Sequence, residues 1–403
     1  MDSRDKPSSP NIFTIRVEGP HEEEGHDHKQ KLLGQLTNIP KNAQVLQIEN
    51  DTPSDVEWSV IGSHFSSVKD LRMDTGFNEE LNDERIPSHW PIERLLVSSA
   101  CAEVFRSPFV LEGKVKHLIL LLTSGLRFEG PTSEELYGAN DEAITRGDVK
   151  EEYMTVREGT PEERKITLVY LPKLVGAWME QKYAGQEVQD NESHLISTLP
   201  DQIPDQIHLE AIEILENDAI DTFTRMTLAL PHLVTNLKTL NIRSSHGLDF
   251  HFTVEEMFRE VLPQLAGLKT LILTAGDVFR DDQFLALLYT EFPPNLSTLR
   301  FRGPISLAKS EHWERWVESF GNPQFLPNLK KLSFVLDLAY EQENPGKKKE
   351  ATAQEEQLRE AKAACLQLYA NAEKRGITIE SFVDKWAEDS KIFKQVDDRW
   401  DQL

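Results

Sequence analysis

A short apolar unit recurs along this chain of 403 residues and constrains its fold more than any other feature. The unit has the pattern apolar-x-x-apolar-x-apolar. Its four clearest copies span residues 237–242, 268–273, 296–301 and 329–334, and weaker copies are centred on Leu46, Leu71, Leu95, Leu118 and Ile212. Such a recurrent unit predicts a repeat architecture, in which each repeat packs mainly against its neighbours.

The spacing of the units indicates one strand and one helix per repeat. The central residues of the first four units lie 25, 24 and 23 residues apart, and the five units from Ile212 onward lie 28, 31, 28 and 33 apart. Alternation inside each unit puts two apolar side chains on one face of a strand. Helix-type sequence fills the gaps at 253–265, 282–291 and 311–320. We therefore predict an α/β fold with parallel strands.

In these units the chain resembles leucine-rich-repeat proteins. The four clear copies, and the segments Leu230-Pro-His-Leu and Leu262-Pro-Gln-Leu that precede two of them, are similar to the repeats of filamentous-fungal F-box/leucine-rich-repeat proteins. The resemblance covers roughly residues 40–340. It implies a solenoid with a curved parallel sheet on its concave side and helices on its convex side, and a role in substrate recognition for ubiquitin ligation. The residues before the first unit contain no recognisable F-box, which argues against direct recruitment to a ligase.

The sequence divides into three predicted parts. Residues 1–42 form an N-terminal cap with an edge strand at 13–17, residues 43–340 hold the repeats, and residues 341–403 form a C-terminal helical cap. The cap contains a turn at 343–349, a long helix at 350–374 and a short strand at 377–379. A polar insertion at 122–163 interrupts the repeats. It is either a solvated surface loop or a lid over the sheet.

Charge and composition disfavour several classes of function. Acidic residues outnumber basic ones 68 to 44, and the resulting net charge of −24 repels a nucleic-acid backbone. The chain has neither an apolar stretch of membrane-spanning length nor a secretory signal at its start. With only two cysteines, it is expected in the cytoplasm or the nucleus.

Motifs of catalysis and cofactor binding are absent from the sequence. It contains no Gly-x-Gly-x-x-Gly loop, no P-loop, no Gly-x-Ser-x-Gly elbow and no His-Glu-x-x-His motif. The cluster His21, His26, Asp27 and His28 has the composition of a metal site, but we interpret it as a solvated acidic loop. We predict neither a metal nor a cofactor.

The strand pattern also predicts which side chains point away from the core. In the C-terminal third these positions gather the cations Arg243, Arg300, Arg302 and Lys331. In an acidic chain such a patch suits an acidic or phosphorylated protein partner. Alternatively, these cations only keep an open sheet soluble.

A second candidate patch is apolar. It comprises the outward positions Leu96, Ile119 and Leu121, with Trp178 from a less certain repeat. Exposed apolar patches mark interaction sites, but the insertion at 122–163 could equally bury this one.

Together these features predict a non-enzymatic interaction scaffold or adaptor that binds a macromolecule on its sheet. The alternatives are a small-molecule-binding accessory protein of a fungal biosynthetic pathway and an unrecognised enzyme. Either would need a closed cavity beside the sheet.

Overall fold

A computed structural model describes residues 11–20, 26–74, 86–98, 115–121, 208–215, 219–229, 233–244, 256–275, 282–344, 347–351 and 355–382. Within these ranges the protein is α/β, with eleven parallel strands in an open sheet that does not close into a barrel. A further strand is antiparallel. The described residues fall into two compact units, one ending at residue 213 and the other beginning at residue 214. The insertion at 122–163 and Trp178 lie outside the described residues.

The first unit contains six parallel strands in sequence order. They are β1 (Ile12–Arg16), β2 (Val45–Glu49), β3 (Asp70–Asp74), β4 (Arg94–Ser98), β5 (His117–Leu121) and β6 (Ala211–Leu215), whose last residues pass the unit boundary. The helices of this unit are α1 (His26–Leu36) and α2 (Asp55–His64). Leu46, Leu71, Leu95 and Leu118 are aligned in register and fully buried, as the repeated unit predicts.

A buried carboxylate fixes the start of α2. Ser54 caps the helix, and the Glu57 side chain accepts hydrogen bonds from the backbone N–H groups of Ser54 at 2.9 Å and of Glu18 at 2.9 Å. Glu57 is only 1% exposed, so these donors replace the water that it loses on folding. Ser54 and Glu57 thus form a capping box, and the Glu57 side chain also binds the loop after β1 to the first turn of α2.

The second unit contains the clearest repeats. Its strands are β7 (Thr239–Ser244), β8 (Thr270–Ala275), β9 (Thr298–Pro304), β10 (Lys331–Asn344), the antiparallel β11 (Lys347–Ala351) and β12 (Thr378–Ile379). The strands β7 to β10 are adjacent and parallel, which confirms the prediction from the four clear units. Leu240, Leu271, Leu299 and Leu332 are paired in register and have no exposed surface.

Helical segments connect the strands of this unit. They are α3 (Ala219–Ala229), α4 (Leu233–Asn236), a π-helix (Glu256–Val261) that continues into α5 (Leu262–Gln264), α6 (Asp282–Leu287), 3-10 helices at Leu288–Glu291 and Ile305–Lys309, α7 (Trp313–Gly321) and α8 (Glu355–Lys374). The helices predicted at 282–291 and 311–320 are confirmed within a few residues. The turn predicted at 343–349 is wrong in extent, because β10 extends to Asn344 and the antiparallel β11 begins at Lys347.

The end of α8 is held in place by the Arg375 side chain, which donates hydrogen bonds to backbone carbonyl groups. The Arg375 guanidinium donates to the carbonyl oxygens of Phe320 at 3.1 Å and Leu326 at 3.1 Å, and burial lowers its pKa. Gly376 follows with φ +78°, the left-handed conformation expected of a helix C-cap. The chain then enters β12, which pairs with β10 in parallel and confirms the strand predicted at 377–379.

The order of the strands decides where the helices lie. From β1 to β6, and again from β7 to β10, each strand is hydrogen bonded to the next one in the sequence. Parallel crossovers are almost always right-handed, so consecutive steps in one direction place their connections on the same face of the sheet. In each unit the helices of the described ranges are therefore expected on one face of the sheet, and the opposite face has none of them. No helix in the described ranges is long and apolar enough to cross a membrane.

Candidate functional site

The face of the sheet that points away from the core is built from rows of aligned side chains. We call the first outward position of each strand the amino-end row. In the first unit it contains Val45, Asp70, Arg94 and His117, and in the second unit Thr239, Thr270, Thr298 and Lys331. Val45 is buried, Lys331 is exposed and the others are half-buried. Apart from Val45, these residues of the amino-end row are thus accessible to solvent in both units.

The third outward position, which we call the carboxyl-end row, is covered in the second unit and only partly covered in the first. In the second unit it consists of Arg243, Thr274, Arg302 and Val335, none of which is more than 5% exposed. In the first unit Ser98 and Leu121 are also buried at this position, whereas Glu49 is half-buried and Asp74 is exposed. In the second unit the accessible outward residues therefore lie nearer the amino ends of the strands, and in the first unit they also include Glu49 and Asp74.

The predicted apolar patch is assembled but not exposed. Leu96 pairs with Ile119 in the register of β4 and β5, and Leu121 lies at the end of the same strand as Ile119. The three are 6%, 0% and 6% exposed, respectively. Alternation along a strand shows which face a residue occupies, but not whether other residues cover that face. Their role in partner binding stays a prediction, and they are less accessible than expected.

The four predicted cations lie in two different environments. Arg243 and Arg302 are 2% and 5% exposed, so they are not part of an open surface. Arg302 forms a bidentate pair with Asp337, with Nε–Oδ1 and Nη2–Oδ2 distances of 2.8 and 3.0 Å. Arg300 and Lys331 remain accessible, with 28% and 54% of their side chains exposed. Only these two could meet a partner directly.

Glu380 joins the two accessible cations. Its carboxylate accepts a hydrogen bond from Lys331 Nζ at 2.7 Å and one from Arg300 Nη2 at 3.4 Å. The hydrogen bond from Lys331 is the main reason that the pKa of Glu380 lies below its ordinary value. The patch is consequently less positive than the four cations alone suggest.

Sequence reasoning missed both acidic partners. Asp337 continues the outward alternation of Lys331, Ser333 and Val335, so a longer strand at β10 would have placed it on this face. Glu380 follows the predicted strand at 377–379, and the pairing of β12 with β10, which brings it to this face, leaves no signal in the sequence. The two lie 35 and 80 residues from the arginines that they bind.

The amino-end row of the first unit is also ionic. Arg94 Nη1 donates to both oxygens of Asp70, at 2.9 and 2.8 Å, and His117 Nε2 lies 2.7 Å from Glu213 Oε1. Glu213 is buried, whereas His117 is half-buried. The Arg94–Asp70 ion pair and the His117–Glu213 contact hold their side chains in fixed positions, which favours selective recognition over non-specific binding.

A cavity of about 230 Å³ lies apart from the sheet face, in the second unit. Apolar Leu285 and Leu307 line it together with polar Ser310 and His312. Small-molecule sites are typically about 300–1,000 Å³, so this cavity is small for a ligand site. In the described ranges no group of three metal-ligating side chains could hold a metal ion.

Comparisons of this chain with protein-family models, with curated proteins and with solved structures found no significant match.

Proposed function

We propose that this chain is a leucine-rich-repeat-type interaction protein that binds a partner protein on the face of its sheet opposite the helices. The observation that carries the proposal is the uninterrupted sequence order of the parallel strands in each unit. With right-handed crossovers this order puts the connecting helices of the described ranges on one face and leaves the other face free of them. The half-exposed residues of the amino-end row mark one part of that face that a partner can reach.

The same strand order argues against a nucleotide- or cofactor-binding α/β enzyme. Such enzymes bind their ligands in a crevice at the point where the strand order reverses. Neither the run β1 to β6 nor the run β7 to β10 contains a reversal. A row of polar side chains that runs across several strands fits a macromolecule better than a small substrate.

The chemistry of the amino-end row indicates what kind of partner fits. It offers threonine hydroxyls from Thr239, Thr270 and Thr298, and charged groups that are held in ion pairs. A partner that binds here would make mostly polar contacts and would associate more slowly as salt is added.

A bulky charged side chain in the middle of the amino-end row tests the proposal. The variant Thr270→Arg should reduce the amount of partner captured from an extract of the native organism, measured by quantitative mass spectrometry. Thr290→Arg is a matched control, because Thr290 is exposed on the 3-10 helix between β8 and β9. Equal capture by both variants and the unmodified chain would overturn the proposal, provided that thermal unfolding shows all three to be folded.

A further inference from the structure

Two cations of the second unit bind Glu380, the residue after the edge strand β12, and the strand register places a serine beside it. Lys331 belongs to the amino-end row of β10, and Ser333 is the next outward residue on the same strand. Arg300 on β9 is the register partner of Ser333. Thr378 pairs with Lys331, and the backbone N–H of Glu380 donates to the carbonyl of Leu332 at 2.9 Å, which brings Glu380 beside Ser333.

Arg300 and Glu380 meet across the strand that carries Ser333. Adjacent strands are about 4.8 Å apart, so the two side chains must extend over β10 to reach each other. Ser333 is only 1% exposed, and its hydroxyl has no hydrogen-bond partner among the described residues. The Nε atom of Arg300 is likewise buried and without a partner in these ranges.

Unsatisfied donors of this kind are uncommon and need an explanation. Here the Ser333 hydroxyl and the Arg300 Nε atom are two such donors. They lie next to the charged ends of Lys331 and Arg300, which the Glu380 carboxylate already bridges. A carboxylate has two oxygens, and both are engaged by Lys331 and Arg300. A phosphate group offers more acceptor oxygens, and an arginine fork with a lysine and a hydroxyl is a suitable set of donors for it.

We propose that Arg300, Lys331 and Ser333 form a phosphate-binding site for a phosphorylated segment of the partner protein, and that Glu380 occupies this site in the free chain. Glu380 acts as an internal anionic latch that the phosphate displaces. The inference rests on the proposed function, since it specifies the chemistry of the partner. It also adds regulation, because a neutral serine, threonine or tyrosine side chain gains the charge to compete with Glu380 only when it is phosphorylated.

Phosphate binding by the purified full chain tests the latch. Inorganic phosphate is the probe, and calorimetric titration is the measurement. Glu380→Gln removes the charge of the latch and keeps its shape, so phosphate affinity should rise roughly five- to tenfold as the like-charge repulsion is lost. Adding Lys331→Met to this variant should abolish the gain.

A matched control is available on α8. Lys309 and Glu360 form an exposed pair at 2.8 Å, close in length to the Lys331–Glu380 pair. Glu360→Gln changes the net charge of the chain by the same amount, and it should leave phosphate affinity unchanged. An equal rise in both variants would mean that only net charge matters and would overturn the site.

Two other outcomes are decisive. Acetate binding as tightly as phosphate to Glu380→Gln would overturn the phosphate assignment in favour of a carboxylate. If Glu380→Gln does not fold, weak phosphate binding by the unmodified chain carries the test, since Lys331→Met should lose it and Lys309→Met should keep it. If the titrations show no specific phosphate binding, the phosphate site is wrong, but partner capture can still depend on Thr270. The two experiments therefore distinguish failure of this inference from failure of the proposed function.

Discussion

Arg302 shows how the surroundings of a residue decide its role. Its side chain is 7% exposed, and that of Asp337 is not exposed at all. Two charges withdrawn from water in this way are stable only as a pair, since each alone would lose its hydration without compensation. The residue therefore holds β9 to β10 and is unsuited to a first contact with a partner.

Removing one member of this pair should destabilise the protein strongly. Arg302→Met leaves Asp337 buried without its cation, and the free energy of unfolding should fall by about 3–5 kcal/mol. Urea denaturation measures the change. The double variant Arg302→Met/Asp337→Leu should recover most of the loss, because no lone charge remains buried.

An exposed pair provides the contrast for this prediction. Lys309 and Glu360 are 60% and 54% exposed, and surface pairs contribute about 1 kcal/mol or less. Lys309→Met should accordingly change stability little. A loss at Arg302→Met as small as that at Lys309→Met would contradict the assignment of a buried pair.

At the scale of elements, the sequence predicted the strands better than their surroundings. The spacing of Leu240, Leu271, Leu299 and Leu332 is a local signal, because burial on one face of a strand shows directly as a period of two. The accessibility of Arg302 is not local, since it depends on Asp337, 35 residues further along the chain. For this reason the members of the outward rows could be predicted, whereas their burial and ion pairs could not.

The leucines aligned across β7 to β10 provide an element-scale prediction. Each has no exposed surface, so truncation to alanine leaves a cavity that the neighbouring strands cannot fully close. Leu271→Ala and Leu299→Ala should each lower the free energy of unfolding by about 2–5 kcal/mol. Leu366→Ala on α8 is the control, because Leu366 is 56% exposed and should lose less than about 1 kcal/mol. Losses below that value at both aligned leucines would mean that they are not stacked in a core.

At the scale of the whole molecule, the central claim is that each unit leaves one face of its parallel sheet open at the amino ends of the strands. The claim joins the strand order to the proposed function, since a covered face could not receive a partner. It concerns the free chain and can be tested before any partner is known.

Thiol labelling of single cysteines measures this accessibility most directly. The native Cys365 can remain in place, because it is fully buried and burial raises the pKa of its thiol well above its ordinary range. With Cys101 replaced by serine, cysteines are introduced one at a time at Thr239, Thr270 and Thr298 and, for comparison, at the buried Leu271. The three amino-end positions should react roughly a hundredfold faster than position 271, which reacts only when the structure opens. Slow labelling at all three threonine positions, comparable to that at position 271, would show that the face is covered and would contradict the account.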